Sequence, residues 1–279
     1  MHDPIKKDAL ISVIISTYNR PDALGLVLAA MTKQTDHTFE LIVADDGSTS
    51  ATADLVTKFS EKYRAQLNVV HVWQPDAGFR LAAIRNKAIM AALGAYLIFI
   101  DGDCIPQRDL VERHRALAQA GVMVTGSRIL LDQHFTEKVV SNGVDLTAQS
   151  TVFWLKQRTA KRINKMVPLF IKLPASLRWR MKSAFSWKGI KGCNMAAWRQ
   201  DIYAVGGFDE AFTGWGHEDA DFVARLSNAG IKRKLGFCAT EVFHLWHREQ
   251  PRSNANPNYE RVQARLRSGE IRPDQGLPF

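Results

Sequence analysis

The chain is poor in cysteine, in long apolar runs and, over one long stretch, in acids, and each shortage excludes something. Cys104, Cys193 and Cys238 are odd in number and show no CxxC spacing. That argues against a disulfide framework or a structural zinc site and points to a reducing cytosol. No hydrophobic region follows Met1, and the longest charge-free apolar run, 88–100, is well short of the ~20 residues a membrane span needs. The chain is therefore expected to be neither secreted nor membrane-spanning. Between Thr151 and Lys191 there are eleven Lys or Arg and no acid, so the remaining 26 bases and 28 acids nearly cancel and the net charge of +9 is concentrated there. A Gly-rich phosphate loop with a Lys, as many nucleotidyltransferases use, is also absent.

What is present is a core-forming α/β pattern: 279 residues at 46% hydrophobic content suit one domain with an insert. The β-branched run 11–16 reads as a strand. Thr17-Tyr18-Asn19-Arg20 follows as a loop, and Pro21 opens a helix on Leu24, Val27, Leu28 and Met31. The unit repeats, with a strand at 39–44 ending in Asp45-Asp46-Gly47-Ser48 and a helix on Leu55, Val56, Phe59 and Tyr63. A third strand at 68–73, a helix on Leu81, Ile84 and Ala88, and a fourth strand at 95–100 follow. Strands alternating with helices imply a mostly parallel sheet covered on both faces, with ligands bound beyond the carboxyl ends of the strands. Those ends carry Thr17–Arg20, Asp45-Asp46 and Asp101-Gly102-Asp103. Asp45 and Asp46 suit a turn and helix cap, or one of them faces a ligand. Asp101 and Asp103, two acids around a glycine, can converge on a divalent cation bridging phosphate oxygens.

The stretch 214–221 (GWGHEDAD) sets a Trp between two glycines ahead of Glu218-Asp219, where a helix on Phe222 and Leu226, closed by Gly230, should begin. Acids in a first turn complement the helix dipole. A Trp beside carboxylates is also how proteins hold and activate a sugar hydroxyl, so the stretch reads as an acceptor platform with a built-in base.

These motifs carry a family resemblance. SVIISTYNRP, VADDGS, AGFRLAAIRNKAI and FIDGDC resemble the nucleotide-sugar-binding half of family 2 glycosyltransferases of the GT-A fold. KGCNMAAW, VGGFDEAFTGWGHEDAD and the HLWH stretch leading to NPNYER resemble the catalytic half of β-1,4-galactosyltransferases and related bacterial hexosyltransferases. The resemblance implies a GT-A domain with a nucleotide-sugar half at 11–130, a basic helical insert at 131–188, an acceptor and catalytic half at 187–260 and a C-terminal tail at 261–279. It implies inverting transfer of a hexose or N-acetylhexosamine, from a UDP-sugar in the first instance, to a glycan hydroxyl in bacterial surface polysaccharide or lipopolysaccharide synthesis. Thr17, Tyr18 and Arg20 would form the nucleotide loop, Asp45 or Asp46 would meet uracil or ribose, and Arg80 and Arg85 would lie near base and diphosphate. Asp101 would lie near the ribose and donor sugar, and Gly192 would approach that sugar by its backbone. Trp215 and Glu218 would hold the acceptor, and Asp219 would be the base. The family's metal pair, Met-x-x-His, lies ten residues before the Pro of an Asn-Pro step. Here the pair is His244-Leu-Trp-His247, with His247 ten residues before Pro257 and His244 in place of the Met. With Asp103 they suit Mn²⁺, or Mg²⁺, as a Lewis acid.

The basic stretch, placed on a helical wheel, groups Phe153, Ile163, Met166, Val167 and Phe170 opposite Arg158, Lys161, Arg162 and Lys165. That predicts an interfacial amphipathic helix, broken or kinked at Pro168 and Pro174, docking the enzyme on the inner face of the cell membrane near a lipid-linked acceptor. A basic face over the active-site cleft is the alternative. Nucleic acid is not an expected partner, because no binding module accompanies the charge. Two other functions fit less well. A binding module without catalysis would be expected to lose one of the base, the Asp-Gly-Asp or the paired His, and a nucleotidyltransferase leaves GWGHED without a role.

Overall fold

The computed structural model describes residues 5–6, 8–214, 216–248 and 255–278. Its first half is built from β1 (Ile11–Thr17), α1 (Pro21–Met31), β2 (Phe39–Asp45), α2 (Ser50–Tyr63), β3 (Val69–Trp73), α3 (Leu81–Ala91) and β4 (Tyr96–Asp101). There follow β5 (Cys104–Pro106), α4 (Leu110–Leu117), β6 (Val122–Thr125), β7 (Ser127–Leu130), α5 (Gln133–Asn142), α6 (Thr151–Thr159) and α7 (Val167–Phe170). The last part holds β8 (Met181–Lys182), β9 (Asn194–Trp198), α8 (Arg199–Ala204), α9 (Glu218–Asn228), β10 (Lys232–Leu235), β11 (Glu241–His244) and α10 (Ala255–Ser268).

An eight-stranded sheet has the order β3-β2-β1-β4-β9-β6-β10-β8, and β5-β11-β7 form a smaller one. β1, β2, β3 and β4 are parallel, whereas β9 runs antiparallel to both β4 and β6. This is the mostly parallel α/β sheet expected, and the period-2 alternation of the strands accounts for it. Val13, Ile15, Leu41, Val43, Ile98 and Ile100 face one apolar core together with α1. Ile14, Ile42, Leu97 and Phe99 face a second core with α3 and α9. Covered on both faces, the sheet leaves only its strand ends for polar chemistry. All three cysteines are buried and free.

The basic stretch does not form the predicted amphipathic helix. α6 stops at Thr159, Lys161 takes a left-handed φ of 58°, and Ile163 turns back to bridge Leu131. Long-range packing overrides the local periodicity: Ile163 is buried, and Trp154 stacks on Phe243 with ring centroids 5.0 Å apart. Pro168 opens the four-residue α7 rather than kinking a longer helix. Several of the cations are structural. Arg180 is fully buried and donates to the carbonyls of Pro174, Leu235 and Phe237, and Lys165 is bonded to Ser127. Residues 261–278 pack on the rest of the fold. Arg265 of α10 pairs with Asp209 at 2.9 Å and Asp221 at 3.3 Å, and Leu277 is buried with its amide on the Gly206 carbonyl.

Candidate active site

Arg85, on α3, is the hub of the cleft. Its side chain is wholly buried, yet its guanidinium reaches both halves of the chain. Nη2 donates to Asp101 Oδ1 at 3.0 Å and to the Gly192 carbonyl at 3.1 Å, and Nε donates to Ser16 Oγ at 3.3 Å. Nη1 lies 3.7 Å from Glu218 Oε1 at the start of α9. The Gly192 amide in turn donates to Asp219 Oδ2 at 2.8 Å. A Cβ at residue 192 would sit 3.2 Å from Asp219 Cβ and 3.3 Å from Arg85 Nη1, so a side chain there would have to push both back by a few tenths of an ångström. Burial, then the neighbouring Asp219 charge, push the Glu218 carboxyl up to about 7 against the pull of Arg85. Burial likewise raises Asp101, again opposed by Arg85.

The turn that delivers these acids is strained. His217 caps α9 in the left-handed region at φ 71°, unusual for a residue with a side chain, after Gly216 at φ 109°. Asn258 of α10 holds the turn by donating to the Gly216 carbonyl at 2.8 Å. Beside it, Trp187 stacks on Tyr259 with centroids 5.1 Å apart and meets the His217 ring edge-on at 5.5 Å. Trp187 and Tyr259 were not among the expected site residues. Their only sequence signal was aromaticity inside a basic stretch and after an Asn-Pro step. Trp215 lies outside the described residues.

Asp103, His244 and His247 meet at the other end of the Asp-Gly-Asp loop. β11 pairs with β5 so that His244 stands opposite Cys104, and the Leu245 amide donates to the Asp103 carbonyl at 3.0 Å. His244 Nε2 lies 3.7 Å from Asp103 Oδ1, and His247 Nε2 lies 3.5 Å from Asp103 Oδ2. One ligand atom from each falls within 4.8 Å of the others. Burial, then the Arg128 charge, lower His244 to about 4, so its imidazole is neutral near pH 7 and offers a lone pair. His247 Nδ1 is 3.0 Å from the Arg248 carbonyl. A carbonyl only accepts, so Nδ1 carries a proton, and in the neutral ring that leaves the Nε2 lone pair on the Asp103 side for an ion. Two imidazoles and a carboxylate so oriented fit a divalent ion such as Mn²⁺.

The remaining expected residues line the ends of β1 and β2. The Thr17 hydroxyl is buried without a partner, Tyr18 donates to Asp76 at 2.9 Å, and Arg20 pairs with Asp22 at 2.9 Å. Asp46 accepts from the Arg80 amide at 2.8 Å and from Gln74, and Arg80 Nη2 donates to the Pro75 carbonyl. Asp45, expected as an alternative to Asp46 at the nucleotide, is closed into the fold. Burial disfavours its charge, but His71 at 3.1 Å and the Ser48 amide at 2.8 Å outweigh that and hold the carboxyl below its usual range. Its two oxygens shape the loop, and the one histidine that decides this is 26 residues away in sequence.

The family model described as glycosyl transferase family 2 matches residues 12–185, and that described as N-terminal domain of galactosyltransferase matches residues 178–248. Chondroitin synthase from Pasteurella multocida (strain Pm70) is 28% identical over 243 residues, covering 81% of this chain and 24% of its own. Validoxylamine A glucosyltransferase from Streptomyces hygroscopicus subsp. jinggangensis is 30% identical over 240 residues, covering 80% of this chain and 52% of its own. Among solved structures, the mannosyltransferase PcManGT from Pyrobaculum calidifontis, in complex with GDP-Man and Mn²⁺, superposes with a TM-score of 0.57 at 18% identity. That match covers 97% of this chain and 65% of the other. The chain thus spans about half or less of the length of these curated relatives.

Proposed function

The chain belongs to glycosyl transferase family 2 and has a GT-A-like fold, and from that premise we propose that it transfers a hexose or N-acetylhexosamine, with inversion, from a nucleotide-diphosphate sugar to a glycan hydroxyl. The observation that carries the reading is the one cluster in which Arg85 joins Asp101 and Gly192 to Glu218, with Asp219 on the Gly192 amide and the Asp103–His244–His247 group one glycine away.

In this reading Asp219 is the base. It takes the proton of the acceptor hydroxyl as that oxygen attacks the anomeric carbon, while the carbon–oxygen bond to the diphosphate breaks and its electron pair leaves on the phosphate oxygen. Attack opposite the leaving group inverts the centre. Glu218, titrating at about 7, is half protonated near neutrality and can donate to an acceptor oxygen. Trp187 and Tyr259 offer aromatic faces on the acceptor side, beside the role that the family resemblance gives to Trp215. Asp103, His244 and His247 would hold a divalent ion, Mn²⁺ first, whose charge as a Lewis acid offsets that of the diphosphate. Asp101, Gly192, Thr17, Tyr18, Arg20, Asp46, Arg80 and Arg85 would contact the donor, with UDP-sugars the first to test and GDP-mannose the second. The glycan acceptor belongs, in this reading, to bacterial surface polysaccharide synthesis.

The exposed part of the basic stretch supports a membrane-surface contact. No described helix is long and apolar enough to cross a membrane. Val152, Leu155, Phe170, Ile171 and Trp179 are exposed among cations, which suits shallow docking on an anionic lipid surface. The decisive experiment for the enzyme is nucleotide release from a panel of UDP-, GDP- and dTDP-sugars with Mn²⁺, for the wild type and Asp219→Asn. The variant should lose at least ~10²-fold in kcat with donor affinity nearly intact. Activity within a few-fold of wild type would reject Asp219 as base.

A further inference from the structure

The interior arginines of this protein have oxygen partners. Arg85, Arg115, Arg180, Arg225, Arg233 and Arg265 each donate to carboxylate or carbonyl oxygens. Arg128, the second residue of β7, differs. It is half-buried, and among the described residues its one hydrogen-bond contact is Cys193 Sγ, 3.8 Å from Nη1. A thiol sulfur is a weak acceptor, so most of the guanidinium's donors stay open to solvent or to a ligand.

The position of Arg128 says what kind of ligand. β7 runs parallel to β11 with Arg128 beside Val242 and Leu130 beside His244, and residues two apart share a face, so Arg128 lies on the His244 face. Cys193, which it touches, follows Gly192 in the chain. The guanidinium is thereby placed between the Gly192 loop and the Asp103–His244–His247 cluster. Lys165, held on Ser127 and over the Phe237 ring at 5.3 Å, belongs to the opposite face of the strand, beside Glu241, and leaves Arg128 as the cation of the His244 face. A fixed cation beside a site built for a divalent cation is repelled by it unless an anion lies between the two. A diphosphate is such an anion, and the planar fork of arginine matches phosphate oxygens.

We propose that Arg128 binds the β-phosphate of the nucleoside diphosphate, donating to its non-bridging oxygens and holding the charge left when the sugar departs. The electron pair of the broken bond stays on phosphate, and no proton moves at this residue. The inference rests on the glycosyltransferase reading of the same cleft.

Calorimetric titration of UDP, UMP, GDP and GMP, with Mn²⁺ and again with EDTA, into wild type, Arg128→Gln and Arg128→Lys tests it. Arg128→Gln should weaken the bound diphosphate about ten-fold or more, the scale of a hydrogen bond to a charged group, and shift the matching monophosphate less than about three-fold. Arg128→Lys should fall between, and the difference should persist in EDTA because the contact needs no ion. Arg128→Lys, which keeps the charge and most of the volume, serves if Arg128→Gln folds poorly. If wild type binds neither diphosphate, the glycosyltransferase reading falls and this inference with it. If wild type binds one and Arg128→Gln binds it equally well, only this inference falls. Unchanged diphosphate affinity with a raised KM for an acidic acceptor would assign Arg128 to the acceptor and overturn it too.

Discussion

Glu218→Gln should make the protein more stable at alkaline pH while leaving acid stability nearly unchanged. The Glu218 side chain is 12% exposed, 3.7 Å from Arg85, and next to Asp219. Burial and the Asp219 charge move its titration from 4.5 to about 7, with Asp101 adding repulsion and Arg85 opposing it. At about 1.4 kcal/mol per pH unit, holding Glu218 ionised in the folded protein costs roughly 3 kcal/mol. Below pH 4.5 the group is protonated in both states and the cost is absent. Between 4.5 and 7 the unfolded chain ionises first, the native state binds more protons, and stability falls as pH rises; above 7 the loss is complete. Glutamine keeps the shape and cannot titrate. In urea unfolding at pH 4 to 8 with EDTA present, the stability of the variant relative to wild type should therefore grow by roughly 3 kcal/mol, and any constant offset from the Arg85 contact cancels in that comparison. A gap that does not change with pH would refute the reasoning, because it would mean that Glu218 titrates normally in the fold. Glutamine cannot titrate as Glu218 does, so the same variant should also lose activity, and the wild-type sequence forgoes that stability for function.

The remaining predictions concern the ion and the surface. EDTA should abolish transfer and Mn²⁺ restore it, and His247→Ala should weaken apparent metal affinity ten-fold or more, on the scale of losing a direct ligand; full activity in chelator would remove Asp103, His244 and His247 from the mechanism. Anionic vesicles should co-sediment the protein at low salt and release it as the Debye length contracts toward about 3 Å at 1 M. Changing exposed Leu155, Lys156, Arg158 and Lys161 to Glu should abolish that binding, and unaltered sedimentation would instead assign the basic face to the acceptor.

Local periodicity was enough to read the alternating strands and helices of residues 11–101. Strands 11–16, 39–44 and 95–100 came out at β1, β2 and β4 because β-branched runs with helices on both sides have one way to bury both faces. The helix starting at Glu218 and the i, i+3 spacing of His244 and His247 were equally local, and both were legible. Residues 151–170 failed the same test because Trp154 and Ile163 are claimed by Phe243 and Leu131, partners from other elements that no helical wheel contains. Asp45 and Asp46 were alternatives until the fold brought His71 to Asp45, and Arg85, which the resemblance put near the diphosphate, became a hub only when Gly192 and Glu218 were brought to its two nitrogens. A side chain's neighbours along the chain determine which backbone form it adopts. Whether its charge is satisfied, shifted or left open for a ligand depends on groups many residues away, and only the tertiary structure brings those together.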